Sequence, residues 1–211
     1  INEIKNLLIK YLPEVGINTC GVYGLEADTL AYYIANLTTP ELQKLFQVKS
    51  EHLNLILVTA DSDWEISINR NASLYNPLNK KFTSEIDMVR WCTHKDYRHS
   101  FIAHRCLTSN KDGIIGIDGI GGKGSDMIRD LCHKLGKPCQ PTMEGATGRL
   151  KGNLKKVLDN WDHFCANWEV VSQDWIYSTP YFGGKPCSEV ILTILNENRR
   201  RLDDGLKMEG R

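Results

Sequence analysis

Residues 53–59 read LNLILVT, and residues 60–63 follow as ADSD. A nearly continuous apolar run of strand length is the pattern of a strand buried on both faces, as in a parallel sheet. The acids Asp61 and Asp63 come immediately after it. Upstream, residues 17–23 (INTCGVY) read as a shorter strand, and Glu26 and Asp28 follow in GLEAD. Helical spacing over 27–36 (ADTLAYYIAN) and 40–47 lies between the two strands. Strand, helices and strand in that order imply a parallel pair with a right-handed crossover.

That topology gives the acids a meaning. In open parallel sheets the carboxyl ends of the strands line the ligand crevice. Glu26, Asp28, Asp61 and Asp63 would then converge on one small volume, where carboxylates repel one another unless cations are present. Hard oxygen ligands suit Mg²⁺ or Mn²⁺, and paired ions of that kind suit phosphodiester hydrolysis. The plain alternative is that an acid after a strand caps the next helix, and Asp28 is open to that reading.

Working outward, residues 2–12 (NEIKNLLIKYL) carry Ile4, Leu7, Leu8, Tyr11 and Leu12 at helical spacing, ended by Pro13 and Gly16. Residues 65–68 and 72–75 read as short strands joined around Asn69–Asn71. Beyond Pro77 the chain turns helical, with segments 84–92, 97–108, 125–135 (Ser125 as N-cap), 149–166 and 188–201. The expected architecture is α/β over residues 1–82 and a helical region over 83–211.

Composition sets the outer limits. The chain has 211 residues, 41% hydrophobic and 25% charged, which is a globular composition with room for a sizeable core. No apolar run is long enough to span a membrane, and no secretory leader is visible. Lys+Arg and Asp+Glu are both 26, so the chain is not uniformly basic, although basic and acidic patches can still be segregated. Seven cysteines without a CxxC pair read as free thiols of a reducing cytosol, and the expected location is cytoplasmic.

Residues 112–124 read DGIIGIDGIGGKG. The glycines allow positive φ and close approach of another backbone, while Ile115, Ile117 and Ile120 are placed to anchor the loop. Backbone N–H groups opening the next helix can hold phosphate, with Lys123 adding charge. This is not a Walker loop, because Lys123 is followed by Gly124 rather than Ser or Thr. The pattern is that of a hairpin gripping duplex DNA by its backbone; a plain glycine-rich turn is the simpler reading.

Taken together, E-A-D, an apolar strand, D-x-D-W and the glycine–isoleucine hairpin resemble the 5′ nucleases of the flap endonuclease class, most closely the bacteriophage 5′–3′ exonuclease/RNase H branch. The resemblance covers about residues 2–135 and extends loosely to 175. It implies a PIN-like 5′ nuclease core with a parallel sheet (here incomplete) over 1–82, then a helical region with a helix–three-turn–helix element at 112–135. It implies metal ligation by Glu26, Asp28, Asp61, Asp63 and Asp112, with Asp28, Asp61 and Asp63 catalytic. It also implies two Mg²⁺ or Mn²⁺ ions, and K⁺ at the hairpin. Gly116, Gly119, Gly121 and Lys123 match the DNA-holding element. The implied substrates are branched or 5′-flap duplex DNA and RNA–DNA hybrids of replication intermediates. For a phage protein the implied location is the host cytoplasm.

Three departures shape the expectation. Thr29 and Ser109 stand where the family pattern has acids. The family also opens with a strand carrying an Asp, followed by a basic helical arch, whereas this sequence opens at Ile1. The resemblance therefore implies a fragment, one half of a nuclease completed by a second polypeptide, or a degenerate relative. Two functions follow: a structure-specific, metal-dependent 5′ nuclease, or a catalytically impaired branched-DNA-binding module that positions a partner. An incomplete sheet should also expose apolar edges.

Other features weigh less. Cys92, His94, His99, His104 and Cys106 match no zinc-ribbon spacing. Arg149, Lys151, Lys155 and Lys156 share one helix, either as phosphate contacts or as a solvated face. Tyr32, Tyr33, Trp91, Trp161, Trp168 and Trp175 read mostly as core aromatics.

Overall fold

The computed structural model describes residues 2–12, 17, 19–22, 24–92, 97–108, 113–122, 124, 126, 128, 140–180 and 184–208. The fold is mixed α/β, with one small sheet and many helices. The chain divides into two compact units, residues 1–54 with 176–211, and residues 55–175.

The first unit is helical: α1 Asn2–Tyr11, α2 Ala27–Ala35, α3 Thr39–Phe46 and α8 Cys187–Met208. α2 buries Thr29, Leu30, Ala31, Tyr32, Tyr33 and Ala35, the all-round burial of a core helix. α3 begins at Thr38, whose N–H and hydroxyl both donate to the Glu41 carboxylate at 2.7 Å. Pro40 fits the first turn, where a missing N–H costs nothing. Gln47 ends α3 in the left-handed region, φ 54°. α3 packs on α8, with Leu42 fully buried. α1 shows its apolar residues Ile4, Leu7, Leu8 and Tyr11 to solvent.

The expected strand over 17–23 is not present among the described residues, of which Ile17 and Thr19–Val22 have no regular structure. A strand persists only when a ladder partner takes its backbone groups, and the sheet among the described residues is made of Leu55–Val58, Ala72–Asn76 and Lys81–Thr83 alone. The chain instead turns at Gly24, φ +76°, with Leu25 N–H donating to Val22 O, and enters α2.

The second unit holds the sheet, order β1–β2–β3: β1 Leu55–Val58, β2 Ala72–Asn76 and β3 Lys81–Thr83. β1 and β2 are parallel, with Leu57 opposite Leu74, and β2 and β3 form an antiparallel hairpin. The sheet is therefore mixed, and the parallel partner of β1 is β2 rather than the segment 17–23. Asn76 Oδ1 takes the N–H of Leu78, and Asn79 Oδ1 takes that of Lys81, closing the hairpin turn. The expected strand at 65–68 is instead part of a 3₁₀ helix, Ser62–Ser67. Asp61 and Asp63 start turns rather than strands, which explains the difference.

Register sorts the two faces. Ala72, Leu74 and Thr83 are buried. On the opposite face Ile56, Val58 and Phe82 are 60%, 62% and 51% exposed. The reading of β1 as buried on both faces is thus corrected: it is an edge strand with one covered face. Leu55 and Thr59 donate their N–H groups to Asn71 O and Tyr75 O, so by alternation the backbone of Ile56 and Val58 points away from β2.

Helices α4 Glu85–Cys92, α5 Tyr97–Leu107, α6 Gly148–Asp159 and α7 Trp161–Ser172 also belong to this unit. The expected helix 149–166 is two helices, broken at Asn160. α5 is central. It buries Phe101, Ile102, Ala103, Cys106 and Leu107, packs on α7, and meets the 3₁₀ helix, where Tyr97 Oη donates to Ile68 O at 2.7 Å.

Candidate nucleic-acid interface

The acidic tip of β1 is built by a chain of short bonds. Thr59 Oγ1 accepts the Asp61 N–H at 3.0 Å, and Asp61 Oδ1 accepts the Asp63 N–H at 3.0 Å. Asp61 is thus the N-cap of the 3₁₀ helix, the ordinary role of an acid after a strand. The Asp63 carboxylate lies against the Arg105 guanidinium from α5. Their side chains are only 25% and 17% exposed, so the pair is largely desolvated. Glu65, one turn on, has its carboxyl pushed up by burial, with Lys81 opposing.

Glu26 and Asp28 belong to the other unit. Glu26 is the N-cap residue of α2, although its side chain makes no capping bond. Asp28 lies in the first turn, and its Oδ1 accepts the Thr29 N–H at 2.8 Å. Thr29 itself is buried. Asp112 and Lys123, like Ser109 and Ser125, lie outside the described residues. Among the described residues no three His, Cys, Asp or Glu side chains form a group that could hold a metal ion. Asp61 Oδ1 meets a backbone N–H, and the Asp63 carboxylate meets Arg105.

The glycine-rich segment is held from several sides within the second unit. Ile117 N–H donates to Leu107 O at the end of α5, and Ile117 and Ile120 are buried. Ile115 is 69% exposed, which corrects its expected anchoring role: its carbonyl is the anchor. That oxygen accepts from Asn167 Nδ2 at 2.9 Å, and His163 Nε2 lies 2.6 Å from it. A carbonyl only accepts, so His163 presents Nε2–H there. Asn167 Nδ2 also reaches Cys106 O at 3.1 Å, so one amide on α7 ties α5 to the loop.

The turn itself depends on Gly119, φ +70°. Its carbonyl accepts from Lys156 Nζ of α6 at 3.1 Å. A Cβ on Gly119 would come within 2.4 Å of that ammonium, and one on Gly124 within 2.9 Å of Asn153 Nδ2. At Gly121 a Cβ would meet nothing, so its backbone is open to approach from outside. Gly116 is buried, and Gly122, Gly124, Asp126 and Ile128 are already helical. Helix N–H groups therefore begin at the mouth of the loop.

Arg105, Asn153, His163 and Asn167 were not singled out by sequence reasoning. The His163–Asn167 spacing, i and i+4 on one helix face, was the available signal. Arg105 had none, since nothing in a helix repeat says which loop it meets.

No protein-family model and no curated protein sequence matches the chain. Solved structures do. T5 5′-exonuclease with bound divalent metal ions (zinc) is 18% identical with a TM-score of 0.64, over 93% of this chain and 70% of that one. T5 D15 protein co-crystallised with metal ions is 18% identical with a TM-score of 0.62, over 94% and 72%. The bacteriophage T5 D15 flap endonuclease (D155K) complex with DNA and metal ions is 16% identical with a TM-score of 0.59, over 98% and 71%. At these identities the likeness is one of fold: the chain has the mixed α/β fold of the T5 5′-exonuclease structures.

Proposed function

We propose that this chain is a 5′-nuclease-fold module that binds branched duplex DNA by its backbone and positions a partner, with catalysis impaired. The observation that carries it is the clamped glycine segment. Its turn is fixed by Lys156 and Asn167 while Gly121 stays exposed, so that its backbone is open to phosphate. Lys123 adds charge in this reading. Residues 83–211 hold the DNA in this reading. The Arg105–Asp63 pair and the capping role of Asp61 support weak catalysis.

The second reading is a structure-specific, metal-dependent 5′ nuclease. Its support is the fold likeness to T5 structures that hold metal ions. In it, Glu26, Asp28, Asp61, Asp63 and Asp112 take up Mg²⁺ or Mn²⁺.

A gel shift and a cleavage assay on one 5′-labelled flap duplex, in Mg²⁺ and in EDTA, separate the two. Binding without cleavage is the expected result. Metal-dependent release of a 5′ product establishes the second reading, and absence of binding overturns both. No described helix is long and apolar enough to cross a membrane.

A further inference from the structure

α6 reads GRLKGNLKKVLD. It buries Asn153, Leu154 and Val157 and exposes Arg149, Lys151, Gly152, Lys155 and Lys156. At 3.6 residues per turn, Gly152 falls near the middle of the outward face. Lys151 and Lys155 flank it on one side, and Arg149 and Lys156 on the other. Among the described residues Arg149, Lys151 and Lys155 have no ion-pair or hydrogen-bond partner, and the helix has no acid in its first turn. Cations at that end oppose the helix dipole. A mid-helix glycine weakens the helix relative to alanine, yet a Cβ at Gly152 would meet nothing. The fold therefore does not require that glycine, and the one acid of α6, Asp159, lies in the last turn, two turns beyond it. α6 is also continuous with the glycine-rich segment: Lys156 bonds Gly119 O, and Asn153 packs against Gly124.

We infer that the outward face of α6 is a second contact for the phosphodiester backbone of nucleic acid, which passes over Gly152 between two rows of cations. The inference rests on the reading of the glycine segment as a DNA interface and extends it by one helix. A polyanionic backbone matches two rows of cations, three of the four without a partner among the described residues, and a bare helix backbone between them allows the close approach that a side chain would block.

The test uses the full chain and a fluorescent duplex, with anisotropy titrations over a range of salt. Two variants are compared with the wild type: Lys151→Gln/Lys155→Gln, and Gly152→Gln. The lysine pair should weaken binding on every sequence alike and lower the magnitude of the salt slope by about two, at roughly 0.9 per phosphate contact. Gly152→Gln should leave the melting temperature equal or higher, because glutamine is the better helix former, while weakening binding about tenfold. Loss of affinity with gain of stability is a combination that a structural role does not produce. If the wild type binds and both variants match it, this inference falls and the hairpin reading stands. If the wild type binds no duplex, the hairpin reading falls and takes this one with it. If poly-glutamate, but not duplex, loses affinity in the lysine variant, the face belongs to an acidic protein and the inference is overturned.

Discussion

Arg105 and Asp63 face each other where α5 meets the 3₁₀ helix after β1, both largely shielded from water. Removing one member of a desolvated pair strands the other charge, at a cost of about 3 kcal/mol, whereas replacing both with neutral groups of similar size is close to neutral. Arg105→Met and Asp63→Asn should therefore each lower stability in urea by about that amount, and the double variant should recover most of it. Equal, additive losses would show that the two groups do not interact.

Asn167 is the single amide that reaches both Cys106 O and Ile115 O. Asn167→Ala leaves two carbonyls without that donor, one of them deep beside α5, and should cost about 2 kcal/mol. The loss should be local first. Hydrogen exchange at Ile117 N–H, bonded to Leu107 O, should quicken more than exchange at Thr59 N–H on the sheet. Uniform acceleration would contradict the clamp.

Gly119 occupies the left-handed region, and its missing side chain makes room for Lys156 Nζ. Gly119→Ala should destabilise by about 1 kcal/mol through backbone strain alone and expel the lysine from its carbonyl. Gly121→Ala, where a Cβ meets nothing, should fold normally. A melting comparison of the two variants checks this, and equal losses would show that the turn does not depend on Gly119.

Glu41 is held below its usual carboxylate range chiefly by the side-chain hydrogen bond from Thr38, then by the backbone N–H of Thr38. A depressed folded value means the contribution is present above the unfolded value, about 4.3, and is lost as pH falls through the folded one. Glu41→Gln should cost about 0.5 kcal/mol near neutrality. The gap between wild type and variant should close as pH falls below the unfolded value. A gap that widens on acidification would mean the bond does not hold the charged form.

Legibility followed locality. The helices at 2–12, 27–36, 84–92 and 97–108 were readable because helical periodicity is written within one segment. β1 was readable as a strand, but its partner and its covered face were not, because both depend on residues far along the chain. The apolar run at 17–23 shows the same limit: its residues suit a strand, yet its described residues have no regular structure. At the candidate site the D-x-D and the glycines stood out as residue types. What each carboxylate touches did not, since Asp61 meets its own backbone and Asp63 meets a helix that follows an intervening hairpin.

Among the described residues β1 ends the sheet, with the backbone of Ile56 and Val58 turned outward and an apolar face beside it. Such a seam is a template for any extended chain that drifts against it. The isolated polypeptide should consequently be a concentration-limited molecule whose working range in solution is set by this one strand. A lysine at Val58, which places a charge on the open face without touching the buried side of the sheet, should widen that range more than any substitution among the helices.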